Sequence, residues 1–165
     1  MIKIIIDPLS NVLYQSFYIH ALYETFGREC VSFGNEPFRS LPVKVRGAWG
    51  ILWVIRNDES EKRVFVDGGD FYRINEEIYA WCDVYGHVNA NFTKTPDRDK
   101  LVSLCPSFAV RCWSVRDTIL YAISNTMRYL TEKHFTINID LKHFMGRYRR
   151  LLLRAPHKCS CAWEK

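Results

Sequence analysis

Residues 1–33 read MIKIIIDPLSNVLYQSFYIHALYETFGRECVSF, and their order decides the fold. Residues 2–6 form an apolar run broken only by Lys3, the composition of a strand buried on both faces. Asp7 and Pro8 stop it, and Ser10 or Asn11 can cap the next element. Between residues 12 and 26, Val12, Leu13, Phe17, Leu22 and Phe26 recur at helical spacings, and Gly27 is the terminator that helices favour. Residues 28–33 read as a second strand. Strand, helix and strand in about thirty residues is the βαβ unit of a parallel sheet.

Beyond this unit the pattern continues. Residues 34–47 carry Gly34, Pro37, Pro42 and Gly47 and read as a loop. Two strand-like runs, 49–55 and 63–66, flank the polar turn RNDESEK, as a hairpin would. Residues 75–82 form a short helix capped by Asn75, with Glu76 and Glu77 in its first turn. Further strands are expected within 83–92 and 100–105. Residues 113–130 give the longest helical pattern, capped by Ser114, and Ile119, Leu120, Ile123, Met127 and Leu130 make its apolar stripe. Residues 140–153 are basic and amphipathic. The expected fold is α/β: a single Rossmann-like open, mostly parallel sheet flanked by helices. The domain is expected to span 1–155, with 156–165 a disordered tail.

At 165 residues the chain suits one domain with a real core, and its 48% hydrophobic content argues against disorder. Basic residues concentrate in 142–165, where Lys142, Arg147, Arg149, Arg150, Arg154, Lys158 and Lys165 face only Glu164. Such an end suits an anionic lipid or polyphosphate and suggests membrane-surface contact through 142–158. A nearly balanced first 140 residues and the lack of a reading motif argue against nucleic acid. The apolar runs are too short for a membrane span or a signal peptide, so a cytoplasmic protein, peripheral to the inner face of the membrane, is expected. The dispersed cysteines are expected to be thiols. The cluster His157-Lys-Cys-Ser-Cys161 lacks a fourth ligand and the usual zinc spacing.

Ligands of an open parallel sheet bind beyond the carboxyl ends of its strands. Polar residues collect there: Asp7, Ser10 and Asn11 after the first strand, Asp67 and Asp70 after a central one, Asn89 and Asn91 near another, and Ser107 after the last. Ser10, Asn11, Asp67, Asp70, Asn89, Asn91 and Ser107 are the candidate substrate-binding residues. Asp7, Asp67 and Asp70 are the candidate catalytic carboxylates. His20, Asp83 and His87 are formal alternatives as a general base. The turn DPLSN is not a dinucleotide fingerprint, and no phosphate-gripping glycine loop occurs elsewhere. Neither a cofactor nor a metal is expected, although Asp67-Gly-Gly-Asp70 could hold a divalent cation beside a diphosphate.

The run VFVDGGDFYRINEEIYAWCDVYGHVNAN, followed by KLVSLCPSFAVRCW, resembles glycosyltransferase-like proteins of bacterial polysaccharide gene clusters. The shared pattern falls on Asp67, Asp70, Ile74, Asn75, Tyr79, Trp81, Asp83, Tyr85, Gly86, Asn89 and residues 106–108. The resemblance implies the N-terminal domain of a two-Rossmann-domain (GT-B type) transferase, binding a glycan or lipid-linked acceptor. Hexosyl transfer from a nucleotide sugar would then require a second Rossmann domain or partner chain, and the chain is expected to be inactive alone. A noncatalytic protein-interaction module with a Rossmann-like fold is the alternative. A large exposed apolar patch away from the strand ends would favour it.

Overall fold

The structure, a computed structural model, describes residues 1–47, 50–69, 73–88, 90, 98–131 and 141–154. Six strands form one open sheet: β1 (Lys3–Ile6), β2 (Val31–Phe33), β3 (Ile51–Arg56), β4 (Glu61–Asp67), β5 (Val84–His87) and β6 (Leu101–Ser103), in the order β2-β1-β3-β4-β5-β6. β1 and β2 run parallel, joined by helix α1 (Ser16–Phe26), so the βαβ reading of residues 1–33 holds. β4, β5 and β6 are also mutually parallel. The fold is a Rossmann-like α/β open sheet, mostly parallel.

The exception is β3, antiparallel to both β1 and β4. The segment after β2 stays at the carboxyl end of the sheet as a 3-10 turn (Glu36–Phe38) and the short helix α2 (Val43–Arg46). The chain therefore enters β3 from that end and runs back down. A tight hairpin then reverses it into β4. Asn57 Oδ1 organises the turn, accepting from the Glu59 and Ser60 amides at 2.9 and 2.6 Å. The expected hairpin is present. The loop expected over 34–47 contains these two short helical pieces instead.

Register sorts the side chains between two cores, because paired residues share a face. Ile4 and Ile6 align with Val31 and Phe33, and Ile6 with Trp53; this face packs against α1, helix α4 (Val115–Thr131) and helix α5 (Leu141–Leu152). Leu52, Phe65, Tyr85 and Leu101 point to the other face, where Phe38, Val45 and Ile78 cover them. Ile78 belongs to helix α3 (Glu76–Trp81), whose cap is the expected Asn75, accepting from the Ile78 amide at 3.2 Å. Ser114 caps α4 likewise, accepting from the Asp117 amide at 3.0 Å. Gly27 ends α1 at φ 84°, the left-handed region that glycine tolerates best.

Two expectations are corrected. The first helix begins at Ser16, and Ser10 does not cap it: the Ser10 hydroxyl accepts from the Leu52 amide of β3 at 3.1 Å. The insertion of β3 beside β1 gives that oxygen a strand partner. The second correction concerns α4. Its apolar stripe, which normally seats a helix on the core, points outward: Ile119, Leu120, Ile123, Met127 and Leu130 are 46, 52, 56, 61 and 40% exposed. Thr118, Ala122, Asn125 and Tyr129 face inward instead. The inward polar groups are satisfied, as burial requires: Asn125 donates to Tyr148 at 2.8 Å and Thr118 to the Ser114 carbonyl at 2.8 Å. Aromatic rings fill the space that aliphatic side chains would have taken, Tyr129 stacking on Phe144 and Trp113 on Tyr148.

Cys30, Cys82, Cys105 and Cys112 are free thiols; Cys159 and Cys161 lie outside the described residues, as does the 156–165 tail. Burial pushes the Cys82 thiol up to about 11 and the Cys112 thiol up to about 12, while Cys105 is exposed. Only the thiolate reacts, so at pH 8 these two carry on the order of a thousandth or less of the reactive form. Alkylation of the native protein mapped by mass spectrometry should label Cys105 at least about 100-fold faster than Cys112. Equal rates would show that the core around Trp113 opens freely.

Candidate functional site

The carboxyl end of the sheet carries two polar groups of different character. The first surrounds the end of β1. Asp7 points to the α2 face of the sheet, where Arg46 of α2 meets it in a two-pronged ion pair. Arg46 Nε donates to Oδ2 and Nη2 to Oδ1, both at 2.9 Å. Both side chains are completely buried. Oδ1 also accepts from the Leu9 amide at 3.0 Å, which folds the chain tightly after the strand. The Arg46 guanidinium lies over Phe38, 5.9 Å from the ring centroid.

Ser10 and Asn11 continue this turn and are buried too. The Asn11 amide donates to the Gly50 carbonyl at 3.1 Å, tying the turn to the start of β3. A Cβ on Gly50 would run into the Phe65 ring and the Val66 carbonyl, so this close approach requires glycine. Arg147 of α5 closes the turn from the other side, donating to the Leu9, Ser10 and Gly47 carbonyls at 3.1, 3.3 and 3.4 Å. Its burial holds the guanidinium pKa below the usual arginine range. Ser107 also joins this end, its hydroxyl donating to the Tyr14 carbonyl at 3.0 Å.

The second group lies two strands away, about 10 Å across the sheet, at the ends of β4 and β5. Asp67 Oδ2 accepts from the Tyr85 hydroxyl at 2.8 Å, and Oδ1 from the Gly69 amide at 2.9 Å. The Tyr85 oxygen in turn accepts from the Asn75 amide at 3.2 Å, so a short relay runs from the start of α3 to the carboxylate. Burial, and then the Asp67 charge, push the Tyr85 hydroxyl well above its ordinary pKa. It therefore stays a donor. His87 is paired in register with Asp67 and is buried beside it, its ring 6.3 Å from that of Tyr85. A carboxylate has about four acceptor positions. Two are used here, and partly exposed Asp67 keeps capacity for a hydroxyl or amine of a ligand.

The structure thus gathers Asp7, Ser10, Asn11, Asp67 and Ser107 at one sheet end, but not as one lining. Asp7, Ser10 and Asn11 are enclosed and knit the edge together, whereas Asp67 reaches solvent. Asp70, Asn89 and Asn91 lie outside the described residues. Asp83 sits at the opposite end of β5, accepting from the Arg63 amide at 2.8 Å. Tyr85 and Arg46 belong to this end of the sheet without being among the candidate site residues read from the sequence. Tyr85 reads as an ordinary strand aromatic, and Arg46 becomes visible only once the loop after β2 is folded over Asp7. Among the described residues no three His, Cys, Asp or Glu side chains gather as a metal site would require, and no helix is long and apolar enough to cross a membrane.

Fold and edge together define a Rossmann-like open-sheet domain with a polar carboxyl end. No protein-family model, curated protein or solved structure matches the chain.

Proposed function

We propose that this chain is the acceptor-binding half of a glycosyltransferase acting in cell-surface polysaccharide synthesis. The observation that carries the reading is Asp67. It is a partly exposed carboxylate at the carboxyl end of a mostly parallel sheet, where ligands of such sheets bind. The Tyr85 hydroxyl and the Gly69 amide preorganise it. A sugar hydroxyl is a fitting donor to the remaining lone pairs. The absence from the sequence of a phosphate-gripping glycine loop agrees with an acceptor side rather than a nucleotide side. The resemblance of residues 64–113 to polysaccharide-cluster transferases supports the same assignment. A second Rossmann domain or partner chain would bring the nucleotide sugar.

The test is calorimetric titration with candidate glycans and lipid-linked saccharides, and separately with nucleotide sugars. An acceptor glycan should bind, and Asp67→Ala should weaken it about tenfold or more, the worth of a hydrogen bond to a charged group. Binding of nucleotide sugars alone, or of neither class, would remove the reading. A noncatalytic docking module is the second reading, and the outward stripe of α4 favours it.

A further inference from the structure

The stripe on α4 is one half of a larger surface. Met145 of α5 touches Thr126 of α4 through its sulfur, 2.8 Å from the hydroxyl, which places Met145 beside the stripe. Leu141, one turn earlier on α5, is exposed as well. Lys142, Met145 and Arg149 follow one another at i+3 and i+4, so two basic residues flank Met145 at the border of the apolar strip. Arg150 is exposed further round the same helix.

Among the described residues the charge on this face is one-sided. α5 contains no acidic residue, and Asp117 is the only one on α4. Asp117 stands at the start of α4, 4.0 Å from Arg28. Arg128 and Arg147 are turned inward to Asn125 and to the β1–α1 turn, whereas Arg116, Arg149 and Arg150 are exposed. Residues with 40–61% exposure along the whole of α4 make a ridge rather than a groove. Its length from Ile119 to Leu130 is about 17 Å at the helical rise.

We infer that α4 and α5 dock this protein on an anionic lipid bilayer. The α4 ridge would sink to the boundary of headgroup and acyl chain, and Arg149 and Arg150 would reach the phosphates. An aliphatic ridge bordered by lysine and arginine is the pattern of helices that lie in the membrane interface, and long basic side chains let their stems stay apolar while their heads reach the headgroups. A second copy fits poorly, because the same basic residues would face each other. Nucleic acid has the charge but nothing to receive the aliphatic ridge. The surface adjoins the carboxyl end of the sheet: Asn35, just after β2, donates to the Arg128 carbonyl at 3.1 Å. Docking here would hold that end near the bilayer. The inference stands apart from the transferase reading, since vesicle binding and glycan titration fail or succeed separately.

The experiment is co-sedimentation with vesicles of phosphatidylcholine alone and of phosphatidylcholine mixed with phosphatidylglycerol. The protein should sediment with the mixed vesicles and much less with the neutral ones. Arg149→Glu/Arg150→Glu should weaken the binding by about thirtyfold or more, from a loss of roughly five- to sixfold per basic residue. Ile123→Glu/Met127→Glu should weaken it comparably, with thermal melting close to wild type because both positions are exposed. Raising salt from about 0.1 M to 1 M should release the protein, since it shortens the screening length from about 10 to 3 Å. Three results would overturn the inference: no sedimentation with either vesicle, binding unaffected by both double variants, or a wild-type dimer that Ile123→Glu/Met127→Glu converts to monomer.

Discussion

Arg46→Met is expected to destabilise the protein by about 3–5 kcal/mol, the cost of leaving a buried charge without its partner. Arg46 and Asp7 are 39 residues apart in sequence, completely buried, and joined by two hydrogen bonds of 2.9 Å. Without the guanidinium the carboxylate would keep only the Leu9 amide among these three donors. The loop carrying α2 would also lose its tie to β1. Lysine is a poor substitute, because a point charge cannot reproduce the forked contact, so Arg46→Lys should fall between the two. Removing both charges should cost less than removing one: Asp7→Asn/Arg46→Met is expected to recover part of the loss. Denaturant midpoints of wild type, Asp7→Asn, Arg46→Met and Asp7→Asn/Arg46→Met form the cycle that checks this. A single Arg46→Met variant within about 1 kcal/mol of wild type would mean that water reaches the pair.

The same pair shows where sequence reading stops. The βαβ unit was legible because each of its parts is a local signal: an apolar run, a helical spacing, and Gly27 where the helix must end. The caps at Asn75 and Ser114 were legible for the same reason. Asp7 stood out as a polar residue at a strand end, but its partner lies in a loop whose path depends on β3 running antiparallel. A hairpin pattern predicts that β3 and β4 oppose each other and says nothing of β1. Periodicity likewise located the apolar stripe of α4 without saying which side it faces. Asn125 and Thr118 could turn inward only because Tyr148 and the Ser114 carbonyl meet them. Of the candidate site, Asp67 was legible as a turn carboxylate at a strand end. Its orientation by Tyr85, 18 residues later, depends on the parallel pairing of β4 and β5.

Phe144→Ala is expected to cost about 3–5 kcal/mol, the range for deleting a fully buried aromatic side chain. Phe144 is 0% exposed and stacks on Tyr129, their centroids 5.1 Å apart. With Tyr148 and Leu151 it is one of only three buried residues that hold α5 to the rest of the domain. Besides these three the helix is tied down by the Arg147 hydrogen bonds, and isolated helices of this length are marginal in water. The loss should therefore fall first on α5. Arg147 would then leave the Leu9, Ser10 and Gly47 carbonyls, so the edge around Asp7 should loosen with it. Limited trypsin digestion of folded protein tests this order of events. Cleavage after Arg147, Arg149 and Arg150 should accelerate by about 100-fold or more while the β-sheet stays protected, because local opening and global unfolding have separate free energies. If cleavage throughout the chain accelerates together, α5 is part of the cooperative core. In that case the cationic face is fixed to the domain as firmly as the sheet beneath it.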